Sequence, residues 1–213
     1  MYGPPENAIV LFDGTDLAQW TGRDGGAHTW RLENGTMISA GEKPIADDII
    51  SKETFTDFFL HLEFMTPDMP EATGQGKGNS GVFLQGRYEI QVLDSYGIAV
   101  PGTGDCAAVW DQFAPLVNAC KPPLEWQAYD IAFRAPRFDG SGGMQSNARI
   151  SMVHNGQVAL NNVEVMSVSP AKLDDNITEP GPLLLQYHGD AVSFRNVWIV
   201  PLPLEGSTDF EPG

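Results

Sequence analysis

An all-β, two-sheet antiparallel sandwich is the fold class this sequence predicts, on three observations. Apolar and polar residues alternate over short segments. Asn-Gly dipeptides sit between those segments as turn signals. In addition, 23 glycines and 16 prolines in 213 residues favour many turns over long helices. A sandwich of this length fits around one core, so we expect a single domain over 1–213, its core at about 7–202 and a proline-rich C-terminal tail after it.

Taken in order, the apolar runs around Trp30 to Leu32 and Met37 to Ile38 flank Asn34-Gly35, which predicts a tight hairpin because type I′ turns need positive φ at both central positions. Leu60, Leu62 and Phe64 fall on one side of the next strand, with His61, Glu63 and Met65 on the other. Tyr88, Ile90 and Val92 oppose Glu89 and Gln91 in GRYEIQV. Asn155-Gly156 separates RISMVH from QVAL and predicts a second hairpin. In PLLLQYHG, Leu184, Gln186 and His188 share a face, and Gly189-Asp190 is expected to join LLLQYH to AVSFRNVWIV as a terminal hairpin. Two long irregular stretches, TPDMPEATGQGKGNSG and Ser95 to Glu125, read as binding loops.

Acidic residues outnumber lysine and arginine by 28 to 12, and a formal charge of −16 repels phosphate backbones and anionic lipid. Nucleic acid and membrane surfaces are therefore not expected partners. No apolar run is long enough to span a bilayer, and Met1 leads directly into polar YGPPEN with no visible signal peptide. Cys106 and Cys120 are expected to form a disulfide, because their spacing suits neither CxxC redox chemistry nor a zinc site. Closing a loop of this length would contribute about 3 kcal/mol. Such a bridge implies an extracytoplasmic protein, periplasmic or secreted; two free thiols are the alternative.

Glu63, Glu89, Gln91, Gln186, His188 and Arg195 interrupt apolar and aromatic segments with groups that accept, donate and exchange protons. A sugar needs such a surface, since its hydroxyls want both donors and acceptors and its C–H faces stack on rings. Glu89 and Gln91 project from one face about 7 Å apart and can meet one ligand. A Glu shielded from water can serve as general acid or base, and His188 can move protons near neutrality, or simply close the last turn. Arg195 either pairs with a strand carboxylate or binds a substrate oxygen. Trp110 and Trp126 flank the cysteine loop as stacking candidates, whereas Trp20 and Trp30 are expected in the core. GxSxG, HExxH and P-loop patterns are missing. Asp47-Asp48, Asp94-Ser95 and Asp174-Asp175 are oxygen-rich enough for a divalent metal such as calcium, but none has EF-hand spacing and no ligand set follows.

IVLFDGTDLAQW, TFTDFFLHLEF, NSGVFLQGRYEIQVLDS, PPLEWQAYDIAF and LLLQYHGDAVSFRNVWIV follow, in that order, the pattern of the 3-keto-disaccharide hydrolase family, which the chain resembles from about Asn7 to Leu202. The resemblance implies a concanavalin A-like jelly roll with a sugar site on its concave sheet. It also implies a glycoside whose C3 hydroxyl has been oxidised by a partner sugar 3-dehydrogenase. A C3 ketone acidifies the C2 proton; a base removes it, the enolate expels the C1 substituent, and water adds to the unsaturated product. On this resemblance Glu89 is the leading acid/base and His188 the second, with Gln91, Gln186, Arg195 and Asn79 binding or orienting the sugar. Gln127 stands where the family has Asn, which lengthens the reach of any contact there. A non-catalytic carbohydrate-binding module and a cell-envelope interaction domain are the competing functions.

Overall fold

The computed structural model describes residues 3–205; the first two residues and the end of the expected tail lie outside the described residues. Its strands are β1 (Ile9–Phe12), β2 (Trp20–Gly22), β3 (Arg31–Glu33), β4 (Thr36–Ile38), β5 (Ile49–Phe55), β6 (Phe58–Met65), β7 (Ser80–Leu84), β8 (Tyr88–Val92), β9 (Gln127–Arg134), β10 (Arg137–Phe138), β11 (Met144–Ser146), β12 (Ala148–His154), β13 (Gln157–Val165), β14 (Gly181–Leu185) and β15 (Ser193–Pro201). One 3₁₀ turn, Gly74–Gly76, is the sole helical element among the described residues, and no helix is long and apolar enough to cross a membrane.

An eight-stranded antiparallel sheet runs β13-β12-β9-β6-β15-β4-β3, with β1 also pairing β15. A five-stranded antiparallel sheet runs β2-β5-β14-β7-β8. The alternation read in the sequence decides which side chains fill the space between them. Leu60, Leu62 and Phe64 of β6 meet Ile90 and Val92 of β8 and Leu183 and Leu185 of β14 in one apolar cluster, all at most 2% exposed. Each such side chain contributes about 1.5–3 kcal/mol by leaving water. Trp20 and Trp30 belong to this core, and their indole N–H groups donate to the carbonyls of Leu11 and Asp47, both at 2.9 Å. The fold is thus the all-β jelly-roll sandwich that the sequence predicts.

Both Asn-Gly turns are hairpins: Asn34 and Gly35 take φ of 50° and 72° between β3 and β4, and Asn155 and Gly156 take 49° and 81° between β12 and β13. Gly189-Asp190 is not a hairpin, which corrects the expectation. β14 lies in the five-stranded sheet and β15 in the eight-stranded one, so this turn crosses between layers. The chain leaves the β14 ladder because Tyr187 N–H donates to the Asp48 carboxylate at 2.8 Å, and Val192 N–H joins the other layer through Ser39 Oγ at 2.8 Å. Cys106 and Cys120 are free thiols rather than a disulfide. Cys106 Sγ is engaged by the Tyr129 hydroxyl at 3.0 Å, and Cys120 Sγ points at the Leu93 carbonyl at 3.9 Å. An oxidising compartment therefore loses the support a bridge would have lent it.

Candidate active site

β7, β8 and the residues just after β14 form a cavity of about 220 Å³ on the outer face of the five-stranded sheet. Six sequence candidates line it: Asn79, Glu89, Gln91, Trp110, Gln186 and His188. Alternation explains the grouping. Tyr88, Ile90 and Val92 take the core side of β8, which leaves Glu89 and Gln91 facing out. Gln186 and His188 arrive from the end of β14, on the far side of β7, two residues apart, as expected, with His188 at the open rim. The two long loops close the sides. One brings Gln75 and Asn79; the other brings Gly104 and Trp110, the latter anchored by its N–H on the Glu89 carbonyl at 3.1 Å.

Glu89 is only 5% exposed, and among the described residues nothing hydrogen-bonds its carboxyl. Burial first, and then the charge of Asp48, push it up to about 8, so the group carries its proton at neutrality. Gly81 makes room for it: a Cβ there would lie 2.9 Å from Glu89 Oε1 and 2.8 Å from the Phe83 ring. Asp48, which sequence reasoning weighed only as a metal ligand, is fully buried and itself raised to about 7 by burial, against the opposing pull of Tyr187 N–H and Arg23.

The amides around Glu89 hold one another in place. Gln75 Nε2 donates to the Gly104 carbonyl at 2.7 Å, while Gln75 Oε1 accepts from Gln91 Nε2 at 2.9 Å and Asn79 Nδ2 at 3.1 Å. One side chain thereby ties both loops to β8. With its nitrogen spent, Gln91 leaves a buried Oε1 without a partner, and Gln186 Oε1 is likewise unpartnered. Two buried acceptors beside a protonated acid suit a ligand rich in hydroxyl donors, because leaving each unpaired costs about 1–3 kcal/mol. Sequence reasoning missed Gln75 and Ile45 of this cavity; the only signal for Gln75 was its place in a long loop.

Glu63, Trp126, Gln127 and Arg195 do not belong here. They border a separate cavity of about 450 Å³ on the outer face of the eight-stranded sheet. Odd-numbered residues of β6 point out of that sheet while Glu89 points out of the other, so the core separates the two carboxylates and Glu63 is no partner for Glu89. Glu63 instead takes Arg195 Nε at 2.7 Å and Asn196 Nδ2 at 3.0 Å. Burial opposes its ionisation, but those hydrogen bonds prevail and hold its carboxyl below the usual range. The Arg195 guanidinium covers the Trp126 ring at 3.9 Å, so that face is not open for a sugar. Gln127 is buried and supports His154 at 3.0 Å. Of the carboxylates weighed for calcium, Asp48 has Arg23, Asp94 has Lys77, Asp174 has Arg87 and Asp175 has Lys172, whereas Asp47 accepts the backbone N–H groups of Glu42 and Lys43 at 2.7 Å each.

A sequence profile of the 3-keto-alpha-glucoside-1,2-lyase-like domain matches residues 7–200. A crystal structure of a candidate glycosyl hydrolase from Parabacteroides distasonis is 36% identical, covers 94% of this chain and 86% of its own, and superposes with a TM-score of 0.83. A second candidate glycosyl hydrolase from that organism shares the fold at 21% identity, with a TM-score of 0.67 and coverage of 93% and 95%. None of the proteins of curated function matches the sequence.

Proposed function

The chain belongs to the 3-keto-alpha-glucoside-1,2-lyase-like family, and from that premise we propose that it cleaves 3-keto-glycosides, 3-keto-disaccharides among them, by elimination followed by hydration. The observation that carries this reading is Glu89: a buried carboxyl raised to about 8, with no partner of its own, between unpaired amide oxygens. An acid/base works best when its pKa lies near the working pH, and a carboxylate at about 8 is a far stronger base than one in water. In its ionised form Glu89 takes the proton from C2. The electron pair forms the C1=C2 bond as the C1–O bond breaks, and His188 at the rim supplies the proton for the departing oxygen. Water then adds across the double bond, returning a proton to C2 and a hydroxyl to C1.

Gln91 and Gln186 accept from sugar hydroxyls, and Trp110 covers a C–H face. The cavity is smaller than the roughly 300–1,000 Å³ that encloses drug-sized ligands, which favours one sugar ring inside and the leaving group outside. A sugar 3-dehydrogenase must act first, since an unoxidised ring has no acidic C2 proton.

The test is incubation with a 3-keto-disaccharide and with its unoxidised parent, in heavy water. We expect only the keto form to be cleaved, with one deuterium from solvent at C2, and Glu89→Gln to lower turnover by about 10²-fold or more while the fold is retained. Cleavage of the parent sugar, or release without deuterium at C2, overturns the proposal. Binding without turnover would make the chain a carbohydrate-binding module.

A further inference from the structure

A second set of chemically capable side chains lies beneath the Ser95–Glu125 loop, away from Glu89. Cys106, Cys120 and His154 each bring one ligand atom to within 4.8 Å of the others, and Cys106 and His154 are essentially buried. The hydrogen bonds around His154 determine where its lone pair lies. Gln127 Oε1 receives the Lys121 backbone N–H at 3.1 Å, which can only donate, so the amide orientation is fixed. The same oxygen meets His154 Nε2 at 3.0 Å, so Nε2 must carry the proton. The lone pair therefore sits on Nδ1, which is buried and has no partner.

Tyr129 narrows the choice further. Its hydroxyl donates to the Gln91 carbonyl at 2.7 Å, so toward Cys106 Sγ, 3.0 Å away, it offers only lone pairs. Two sulfurs, an unprotonated imidazole nitrogen and a phenol oxygen thus converge with no positively charged group among them. We propose that Cys106, Cys120 and His154 bind a zinc ion, which pins the loop that carries Trp110 to the floor of the eight-stranded sheet.

Zinc takes two thiolates and an imidazole at about 2.0–2.3 Å, which sets ligand atoms about 3.5–3.8 Å apart. The observed set, its ligand atoms within 4.8 Å of one another, closes on that geometry by contracting about 1.3 Å at most. Gln127 does what outer-shell partners of zinc-bound histidines do, fixing the tautomer from the far nitrogen. The fourth position falls to the Tyr129 oxygen or to a water admitted past half-buried Cys120. The consequence reaches the other cavity through the chain itself, since Ala107 N–H donates to the Gln91 carbonyl at 2.9 Å and Trp110 N–H to the Glu89 carbonyl.

The test uses the whole protein, purified with reduced thiols and no chelator. We expect one zinc per chain by mass spectrometry. Cobalt(II) in its place should give thiolate charge-transfer absorption in the near ultraviolet and tetrahedral bands in the visible. Alkylation of Cys120 should be slow with zinc and at least tenfold faster after chelation. Cys120→Ser, at a half-buried position, should keep the circular dichroism spectrum and weaken zinc binding at least tenfold; His154→Gln should do the same if it folds. Zinc at trace level after loading, alkylation indifferent to zinc, loading by copper(I) alone, or a Cys106–Cys120 bridge that persists in the presence of zinc would each overturn the assignment.

Discussion

Glu63 and Glu89 are both 5% exposed, on the outer faces of opposite sheets, yet their carboxyls are driven in opposite directions. Glu63 has Arg195 and Asn196 and is held below the usual range; Glu89 has no hydrogen-bond partner and is raised to about 8. The cavity beside Glu63 is the larger, about 450 Å³ against about 220 Å³. Volume alone would select the face whose polar groups are already paired. Around Glu63 the polar groups have answered one another: His61 takes Asp130 at 2.7 Å, Arg195 takes Glu63, and the guanidinium covers Trp126. Around Glu89, buried amide oxygens wait for donors. Burial creates reactivity only where pairing is withheld.

The comparison breaks most visibly at Glu89 itself. Glu89→Gln should lower turnover of a 3-keto-disaccharide by about 10²–10⁴-fold, the usual worth of a general acid or base, whereas Glu63→Gln should leave turnover nearly intact; steady-state product release decides. Gly81→Ala should come next, at about 10²-fold in kcat, because its Cβ displaces the Glu89 carboxyl and misplacement by about 1 Å has that scale of cost. Arg195→Leu should act on stability instead. It leaves Glu63 with Asn196 and the nearby His61 ring and should cost about 1–3 kcal/mol in urea unfolding, at the lower end because the Arg195 head is partly exposed.

The smallest effect is a pH slope. Glu89 is raised from its ordinary 4.5 to about 8, so the folded protein keeps a proton that the unfolded chain releases in that window. Stability should therefore fall as pH rises through it. Asp48 contributes in the same direction up to about 7. Thermal unfolding between pH 7 and 8 should thus show a decline that Glu89→Gln removes and Glu63→Gln does not.

The face each residue takes was legible from alternation, because a strand has a period of two and its apolar set must go inward. Which sheet a strand joins was not. Glu63 and Glu89 read identically in the sequence, and their separation follows from long-range pairing of β6 with β15 and of β8 with β7. The same blindness hid the crossover at Gly189-Asp190 and the meeting of Cys106 and Cys120 with His154, a residue on a distant strand. Glu89, Gln91, Gln186 and His188 were legible together because they neighbour one another two by two along the chain. Gln75 was not, since an exposed glutamine in a glycine-rich loop announces nothing until its partners are placed.

β15 lies inside the large sheet, with β6 on one side and both β4 and β1 on the other, Ile9 opposite Ile199. The strand that joins the halves of this sheet thus follows all of its partner strands in the chain. Until it arrives, β6 exposes a long apolar edge, the kind that pairs promiscuously with other chains. Closing contacts between the two ends of the chain is also entropically slow. This sheet cannot close before β15 is made, and removal of β15 should yield an aggregating product rather than a weakened one.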